Sequence, residues 1–234
     1  MAYEDFTLIL PTLNEEKTIG KLLNYVLKKY KKIHVLVVDD GSRDSTRETV
    51  LKISRKNKRI RLLDRSALKL QRGLTASVVD GIRRSGTKYA IVMDADMQHP
   101  PELIENLARF LQHSCDLAVA CRDDVEKWSA GRKIISKIFA YFGMAALFVQ
   151  RKQRCRDILS GYFGVKRDFF MSVYQSNAKR FVLEGYKVLY DFLKCIDSGS
   201  IRVCEAPYVF MSRRWGSSKA GFAQGAALLK SFFS

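Results

Sequence analysis

Two aspartates lie two positions apart at the end of an apolar run. Asp94 and Asp96 follow residues 90–93, whose sequence AIVM is typical of a strand buried in a parallel sheet. Residues i and i+2 of an extended chain face the same side, so both carboxylates can converge on one hard cation and bridge it to a substrate phosphate. The alternative is a solvated acidic turn before a helix that begins near Pro101, since proline suits the first helical position.

Two further polar segments, Asn14-Glu15 and Asp39-Asp40, also follow apolar runs. The carboxyl ends of parallel strands meet at one edge of an open α/β sheet, where such sheets bind ligands. Carboxylates that meet there need a cation, a proton or a donor-rich ligand to offset their repulsion, and a nucleoside diphosphate with a divalent ion supplies both cation and donors. The sequence has no Gly-x-Gly-x-x-Gly segment and no Walker lysine loop, which argues against dinucleotide oxidoreductases and P-loop phosphotransferases.

Strand and helix patterns alternate through the first half of the chain. Apolar runs predict strands at residues 6–10, 35–38, 60–63, 89–93 and 117–120, the first of them ended by Pro11, with helices between them. The second half adds a helix over 134–149, a strand over 161–165, a helix through 188–193 and a last strand over 201–211 that Pro207 interrupts or places at an edge. We therefore predict a single α/β domain with a mainly parallel sheet flanked by helices.

The composition points to an anionic partner. The 234 residues carry a net charge of +17, which suits nucleic acid, acidic lipid or phosphorylated substrates. No RNP-like or zinc-knuckle pattern accompanies the basic residues, so we do not expect nucleic acid to be the partner. The five cysteines form no C-x-x-C pair, their number is odd and the N-terminus lacks a signal peptide, which predicts reduced thiols in the cytosol.

Two apolar segments raise the question of a membrane. Residues 134–149 are too short for a confident membrane span and fit a buried or interfacial helix. Near the C-terminus, Phe222, Ala226, Leu229 and Phe233 would share one face of a helix. We predict a catalytic domain over residues 1–219, followed by an amphipathic, membrane-associated segment over residues 220–234.

An ordered set of motifs resembles a known family. Pro11-Thr12-Leu13-Asn14-Glu15, Val38-Asp39-Asp40-Gly41-Ser42 and the segment from Asp94 to Glu102, in this order, resemble the inverting nucleotide-sugar glycosyltransferases with an A-type fold. The His-Pro-Pro-Glu ending of the last motif resembles the dolichyl-phosphate (polyprenyl-phosphate) mannose synthase branch. Further matches extend the resemblance through Arg122, Leu159-Ser160-Gly161-Tyr162-Phe163 and Gly185-Tyr186-Lys187-Val188-Leu189 as far as Lys219.

The resemblance implies roles for individual residues. The positions that hold the donor's nucleoside correspond to Pro11, Leu13, Glu15, Val38 and Asp40. The diphosphate and metal site corresponds to Asp94, Ala95, Asp96 and Gln98, with Asp94, Asp96 and Gln98 as the metal ligands. The cationic groups around the donor and acceptor phosphates correspond to Arg122, Arg132, Arg213 and Lys219, so the catalytic set is Asp96, Arg122, Arg132 and Arg213. We interpret His99 as ordering the loop before Pro100, with a place behind the metal ligands as the alternative.

The same resemblance implies an enzyme that transfers mannose from GDP-mannose to a polyprenyl phosphate with inversion, using Mg²⁺ or Mn²⁺. It would work at the cytoplasmic face of a membrane as a peripheral protein, and a membrane-anchoring subunit could accompany it. Leu13 stands where a tyrosine that stacks near the base is usual, so UDP-glucose or another nucleotide sugar is an alternative donor. A non-catalytic nucleotide-sugar-binding subunit is an alternative of another class, and the presence of Asp94, Asp96 and Gln98 argues against it.

Overall fold

The computed structural model describes residues 3–125, 130–211 and 231–232. The strands in these ranges are β1 (Phe6–Thr12), β2 (His34–Asp39), β3 (Ile60–Asp64), β4 (Tyr89–Val92), β5 (Leu117–Val125), β6 (Phe163–Lys166) and β7 (Val203–Phe210). The α-helices are α1 (Glu16–Lys29), α2 (Thr46–Lys56), α3 (Leu74–Arg84), α4 (Ile104–His113), α5 (Ala130–Val149), α6 (Arg167–Asn177) and α7 (Val188–Leu193). A short 3-10 turn, Pro101–Leu103, leads into α4.

These strands form one sheet in the order β3-β2-β1-β4-β6-β5-β7. All neighbouring pairs are parallel except those of β6, which runs antiparallel to β4 and β5. The chain builds outward from β1 through β2 to β3 and then returns to the other side of β1 as β4. Open α/β sheets bind ligands outside the carboxyl ends of the strands at such a reversal, so the topology places a crevice at the ends of β1 and β4.

Helices cover both faces of the sheet. Leu8 and Leu10 of β1 belong to a core cluster with residues of α1 and α4. Ile9, between them, belongs to a second cluster with residues of α3 and α7. Because both faces are covered, the central strands are apolar without alternation, as in other parallel sheets. The predicted α/β fold with a mainly parallel sheet is confirmed.

Some element bounds differ from the sequence prediction. β1 does not end at Pro11, because this residue stays in parallel register with Val38 of β2. β5 continues to Val125, since its polar end pairs with β7 across a bulge. α6 has no counterpart in the prediction, and Phe170 and Met171 are its buried residues, which is too little apolar periodicity to reveal a helix.

The two faces of α5 have different surroundings. On the inner face Leu147 is buried, and a Cβ atom added to Gly143 would lie 3.0 Å from the ring of Phe232 and 3.1 Å from that of Tyr190. The outer face carries large exposed apolar side chains, namely Ile134, Ile135, Ile138, Tyr141, Phe142, Phe148 and Val149. None of the helices in the described ranges has the length and apolar character needed to cross a membrane.

The described end of the predicted C-terminal segment lies in the core. Phe232 is 3% exposed and packs edge-on against Tyr190, with ring centroids 4.9 Å apart. The hydroxyl of Ser231 donates to Asp191, and the ammonium of Lys194 donates to the Ser231 carbonyl over 3.0 Å. Phe232 therefore packs in the protein interior rather than on an exposed membrane-facing surface. The predicted apolar face of Phe222, Ala226, Leu229 and Phe233 lies outside the described residues.

Candidate functional site

The carboxyl ends of β1 and β2 lie side by side. Pro11 is in register with Val38, and Thr12 with Asp39. Asp39 is fully buried and closes the turn that follows: its carboxylate accepts from the backbone N–H of Ser42 over 2.8 Å and from the Thr12 hydroxyl over 2.9 Å. Asp39 is thus a structural residue, and its task is to shape the turn that presents the next carboxylate.

Asp40 is that carboxylate, and a buried arginine holds it. The guanidinium of Arg65 donates to Asp40, and the backbone N–H of Gly73 donates to the other Asp40 oxygen over 2.9 Å. Arg65 is 1% exposed and also donates to Asp80 and to the Ser77 hydroxyl, each over 3.0 Å. Burial raises the pKa of Asp40, while the Gly73 N–H and the Arg65 charge oppose this shift. Arg65 has no role in the sequence prediction, because a lone arginine after a strand carries no local signal.

Gly73 fixes how α3 meets this site. Its φ is +141°, and an added Cβ would lie 2.1 Å from the Leu183 carbonyl oxygen, so only glycine fits this close approach. The backbone N–H groups of Thr75 and Ala76 donate to the carbonyls of Gly185 and Leu183 over 3.0 and 3.1 Å. The first turn of α3 is therefore docked on the loop that precedes α7.

Arg72 is a second arginine near the ends of β1 and β2 that sequence reasoning missed. It is exposed, and its Nη2 lies 3.0 Å from where a Cβ of Gly41 would be, over the turn after β2. Like that of Arg65, its charge opposes the rise in the pKa of Asp40 that burial causes. An exposed guanidinium over this turn can contact an anionic or hydrogen-bonding ligand held at the ends of β1 and β2.

The loop after β1 brings Leu13 and Glu15 to the same end of the sheet. Asn14 adopts a φ of 54°, and its backbone N–H donates to the Ser42 hydroxyl over 2.8 Å. The backbone N–H of Glu15 donates to the Thr46 hydroxyl over 2.8 Å, which ties this loop to the start of α2. The predicted nucleoside set of Pro11, Leu13, Glu15, Val38 and Asp40 is thereby gathered at two adjacent strand ends.

The predicted diphosphate and metal residues follow β4 at the reversal point of the sheet. β4 ends at Val92, so Asp94 and Asp96 lie in a loop and not on the strand itself. Asp96 is buried and accepts from the Gln98 backbone N–H over 3.1 Å, whereas the side chain of Asp94 is 37% exposed. Ala95, between them, is buried in the core. Both carboxylates are therefore positioned by the loop that follows β4 rather than by the alternation of a strand.

Gln98 is held by the end of β7. Its Nε2 donates to the carbonyl of Met211 over 2.9 Å, and the Met211 backbone N–H donates to the Gln98 carbonyl over 3.1 Å. With the amide nitrogen so engaged, Oε1 is the atom through which Gln98 would bind a cation. In the described ranges no three His, Cys, Asp or Glu side chains converge on a metal-binding point.

The loop before β6 supports Asp94 from behind. A Cβ atom added to Gly161 would lie 3.1 Å from Asp94 Oδ2, so the absent side chain leaves room for this carboxylate. In the same loop, the Ser160 hydroxyl donates to the Ala120 carbonyl over 2.7 Å, and Lys187 donates to the Leu159 carbonyl over 2.8 Å. A loop fixed from β5 and from the start of α7 thus defines one wall of the site.

Arg122 is paired rather than solvated. Its Nε and Nη2 donate to Asp157 over 2.7 and 2.8 Å, a bidentate ion pair. Burial alone would lower the pKa of Arg122, but the Asp157 pair outweighs it, and the pKa is raised. The Asp94 carboxylate adds to this rise, so Arg122 lies within the electrostatic reach of the metal-site residues. The ion pair fixes the plane of the guanidinium beside the site.

Lys187 completes this charged cluster. Burial lowers its pKa to about 8, and the positive charge of Arg122 contributes in the same direction, while Asp157 and Asp94 oppose it. The motif that contains Lys187 supports the family resemblance, yet sequence reasoning assigned no role to Lys187 or to Asp157. Both lie far from Asp94 along the chain, and the fold brings them together.

Three predicted cationic residues are not placed beside this cluster. The backbone of Arg132 belongs to the first turns of α5, but its side chain lies outside the described part of the structure. Arg213 and Lys219 lie outside the described residues altogether. Their roles stay predictions from the family resemblance.

Several proteins that this chain resembles in sequence carry the same name. Dolichol-phosphate mannosyltransferase from Pyrococcus furiosus is 30% identical over 219 residues, which is 91% of this chain and 58% of that protein. The protein of the same name from Saccharomyces cerevisiae is 25% identical over 92% of this chain and 80% of its own length. The chain spans about three fifths of the Pyrococcus protein and of a Mycosarcoma maydis protein with the same name.

A crystal structure of glucosyl-3-phosphoglycerate synthase from Mycobacterium tuberculosis, in complex with Mn²⁺, UDP-glucose and phosphoglyceric acid, has the same fold. It superimposes with a TM-score of 0.68 and 18% identity, over 97% of this chain and 79% of that one. Residues 7–173 match the family described as Glycosyl transferase family 2, a stretch that runs from β1 into α6 and includes the carboxylates at all three strand ends. The chain belongs to glycosyltransferase family 2.

Proposed function

We propose that this chain transfers mannose from GDP-mannose to a polyprenyl phosphate and so forms polyprenyl-phosphate mannose. Relatives named dolichol-phosphate mannosyltransferase and polyprenol monophosphomannose synthase, at 25–31% identity, support this choice of substrates. The structural observation that carries it is that Asp40, Asp94, Asp96 and the Arg122–Asp157 pair lie along one edge of the sheet, with Asp94 within electrostatic reach of Arg122. That edge offers acceptors for a nucleoside, carboxylates for a cation and an arginine for a phosphate.

The donor nucleoside would occupy the ends of β1 and β2. Asp40 would accept hydrogen bonds from base N–H groups, because Arg65 and the Gly73 N–H hold its carboxylate in place. Pro11 and Val38 would border the base, and Leu13 and Glu15 would lie along the nucleoside. A buried carboxylate discriminates strongly against bases that lack a matching N–H donor, because the carboxylate would then be left without that hydrogen bond.

A divalent cation, Mg²⁺ or Mn²⁺, would bind at Asp94, Asp96 and Gln98. The residues fit such an ion, because carboxylate and amide oxygens are hard ligands and Gly161 leaves space beside Asp94. When bound, the cation would neutralise charge on the leaving diphosphate. The glucosyl-3-phosphoglycerate synthase from Mycobacterium tuberculosis, which shares the fold, was crystallised with Mn²⁺ together with a nucleotide sugar.

In the reaction, an oxygen of the polyprenyl phosphate would attack the anomeric carbon of the sugar. The new oxygen–carbon bond would form as the bond from that carbon to the diphosphate breaks, with inversion. A phosphate monoester has a second pKa near ~6 and is largely dianionic at neutral pH, so it needs no strong general base. Arg122, Arg132, Arg213 and Lys219 would position the two phosphates and balance their charge, a task to which the planar arginine fork is suited.

The lipid chain of the proposed acceptor lies in a bilayer, so the enzyme would act at a membrane surface. The exposed apolar outer face of α5 supports this location. Its exposed apolar side chains, Phe142 and Phe148 among them, could insert at the interface. Arg154 stacks over Phe148, with the guanidinium carbon 4.9 Å from the ring centroid, which places a cation at the edge of this face. Basic groups near an anionic leaflet contribute about 1 kcal/mol each.

A donor panel tests the proposal. The chain is incubated with GDP-mannose or UDP-glucose, Mg²⁺ or Mn²⁺ and a short polyprenyl phosphate, and the glycolipid product is identified. We expect mannolipid from GDP-mannose, and a fall in turnover of about 100- to 1,000-fold for Asp96→Asn, because a charge-stabilising group is lost. Asp123→Asn, at an exposed position of β5, serves as the matched control with unchanged turnover.

Each contrary outcome identifies a different failure. Product from UDP-glucose but not from GDP-mannose would overturn the donor assignment. Full activity in excess chelator would overturn the cation. Absence of product with every donor, together with binding of a nucleotide sugar, would favour a non-catalytic binding subunit.

A further inference from the structure

His99 is buried between the proposed cation site and the edge strand β7. It is 3% exposed, and its Nε2 lies 3.3 Å from Asp94 Oδ2. Its Nδ1 lies 2.7 Å from the hydroxyl oxygen of Tyr208, a buried residue of β7. The imidazole therefore connects a carboxylate on the loop after β4 with a phenol more than 100 positions later in the sequence.

The two contacts allow a chain of hydrogen bonds from Tyr208 through His99 to Asp94. Burial raises the pKa of Tyr208, so its phenol stays protonated and can donate. If the Tyr208 hydroxyl donates to Nδ1, the proton of a neutral imidazole is on Nε2, where it can be donated to Asp94. The opposite tautomer would turn a lone pair toward the carboxylate. In this arrangement the imidazole can hold Asp94 by a hydrogen bond from Nε2.

Packing leaves the imidazole little freedom to move away. The ring of Tyr162 contacts it edge-on with centroids 5.2 Å apart, and the ring of Phe210 does so at 5.1 Å. Directly after β7, Met211 exchanges two hydrogen bonds with Gln98, another proposed cation ligand. The end of β7 is therefore connected to Asp94 through His99 and to Gln98 directly.

We propose that His99 and Tyr208 are positioning residues that hold the Asp94 carboxylate in place for cation binding, with β7 as their support. This inference rests on the proposed cation site. The partners of metal ligands orient the ligand and raise its affinity for the ion, and their loss commonly costs about 10- to 100-fold in metal affinity. Neither residue needs to contact the cation or the sugar.

The test measures Mn²⁺ affinity directly, without turnover. The free Mn²⁺ signal in electron paramagnetic resonance is followed during titration of the protein, with GDP or UDP present. We expect Tyr208→Phe and His99→Leu to weaken Mn²⁺ binding about 10- to 100-fold. His99→Gln should recover a large part of the loss of His99→Leu, because the glutamine amide can donate from nearly the same place as Nε2.

Tyr162→Phe is the matched control. It removes a hydroxyl from the other tyrosine that contacts the same imidazole, and that hydroxyl is bonded to the Pro100 carbonyl over 3.4 Å rather than to His99. We expect Mn²⁺ affinity within about twofold of the original protein. Melting temperatures of all variants without Mn²⁺ report whether the fold is kept.

Two results would overturn the inference while the proposed cation site stands. One is Mn²⁺ affinity of Tyr208→Phe and His99→Leu within twofold of the original protein. The other is an equal loss in Tyr162→Phe, which would indicate general packing. If the original protein binds no Mn²⁺ with either nucleotide, the cation site itself fails, and the positioning role fails with it.

Discussion

The proposed nucleotide end, which is the carboxyl edge formed by β1, β2 and β4, and the outer face of α5 are organised in opposite ways. At the ends of β1, β2 and β4, buried charges have assigned partners, as with Arg65 between Asp40 and Asp80. The outer face of α5 instead exposes large apolar side chains, with Phe142 66% exposed. The first region is ready for a polar ligand of defined shape. The second has an exposed apolar patch of the kind that marks interaction sites.

Under the proposed function, the first region would bind a nucleotide sugar from water and the second would face the lipid that carries the acceptor. A soluble nucleotide sugar needs fixed donors and acceptors, and these require buried ion pairs that resist water. The proposed lipid-linked acceptor needs an apolar surface for its lipid chain. α5 follows β5 along the chain, and Arg122 of β5 lies within electrostatic reach of Asp94. Variants that separate fold stability from surface binding can test whether the two regions are independent.

The largest effect is expected at the buried arginine of the nucleotide end. Arg65→Met would remove the guanidinium that holds Asp40 and would leave Asp80 with only the more exposed Arg83 and Arg84. Breaking a buried pair in this way costs about 3–5 kcal/mol. Urea unfolding measures the loss of stability. The double variant Arg65→Met/Asp40→Asn should recover part of it, because the carboxylate that lost its guanidinium partner is removed. Arg61→Met, at an exposed arginine of β3, is the control and should change stability by less than about 0.5 kcal/mol.

A loss below about 1 kcal/mol for Arg65→Met would mean that Asp40 finds another partner or takes up a proton. In that case the nucleotide end is adaptable rather than fixed, and the contrast with α5 weakens.

Two phenylalanines at the two faces of α5 give a matched pair. Phe232→Ala should cost about 3–5 kcal/mol of stability, because it opens a cavity against Tyr190 and Gly143. Phe142→Ala should change stability by less than about 0.5 kcal/mol, because its side chain is already exposed. In sedimentation with anionic liposomes the order should reverse. Phe142→Ala should weaken binding about tenfold, the equivalent of burying one large apolar side chain.

Liposome binding that is insensitive to Phe142→Ala would remove the outer face of α5 from the membrane proposal. The buried position of Phe232 also changes how the C-terminus must be tested. Deleting residues 221–234 would remove Phe232 and Ser231 from the core, so lost liposome binding in that deletion could follow from unfolding alone.

The sequence predicts those parts of the site that follow local rules. Carboxylates directly after apolar runs identify the ends of β1, β2 and β4, because parallel strands leave their carboxyl ends at one edge. The alternation of strands and helices identifies the fold class, because this order is typical of a parallel sheet flanked by helices. What local rules cannot provide is the insertion of β6 between β4 and β5, which brings the loop of Asp157 and Gly161 beside Asp94.

The partners of the predicted residues were beyond sequence reasoning for a related cause. Arg65, Lys187 and Tyr208 lie in different parts of the fold, and none is part of a spacing pattern that would indicate its contact. The same limit applies to the C-terminus. Helical spacing predicts an amphipathic segment there, but it cannot tell whether an apolar face meets lipid or, as Phe232 does, the core.

The smallest expected effect comes from Lys187, and it links the nucleotide end to pH. Burial, helped by the Arg122 charge, lowers the pKa of Lys187 from 10.5 to about 8 in the ligand-free protein. Between these values the unfolded chain binds more protons than the folded one, so the contribution of Lys187 to stability rises with pH over this window. The same titration removes a positive charge beside Asp94 and Arg122 as the pH passes 8.

For a pKa of about 8, the charged fraction of Lys187 falls from about 90% at pH 7 to about 10% at pH 9. The diphosphate group of GDP stays ionised over this range, since its last phosphate pKa is about 6. Affinity for GDP with Mg²⁺, measured by calorimetry, should therefore fall about three- to tenfold from pH 7 to pH 9. Lys187→Met should bind more weakly at pH 7 and lose this pH dependence. Lys166→Met, which breaks a 2.6 Å ion pair with Asp116 at another part of the sheet, should keep it. If the affinity of Lys187→Met for GDP with Mg²⁺ fell with pH as steeply as that of the original protein, the Lys187 charge would not act on the ligand. The charged groups that act on the diphosphate would then include the Arg122–Asp157 pair but not Lys187.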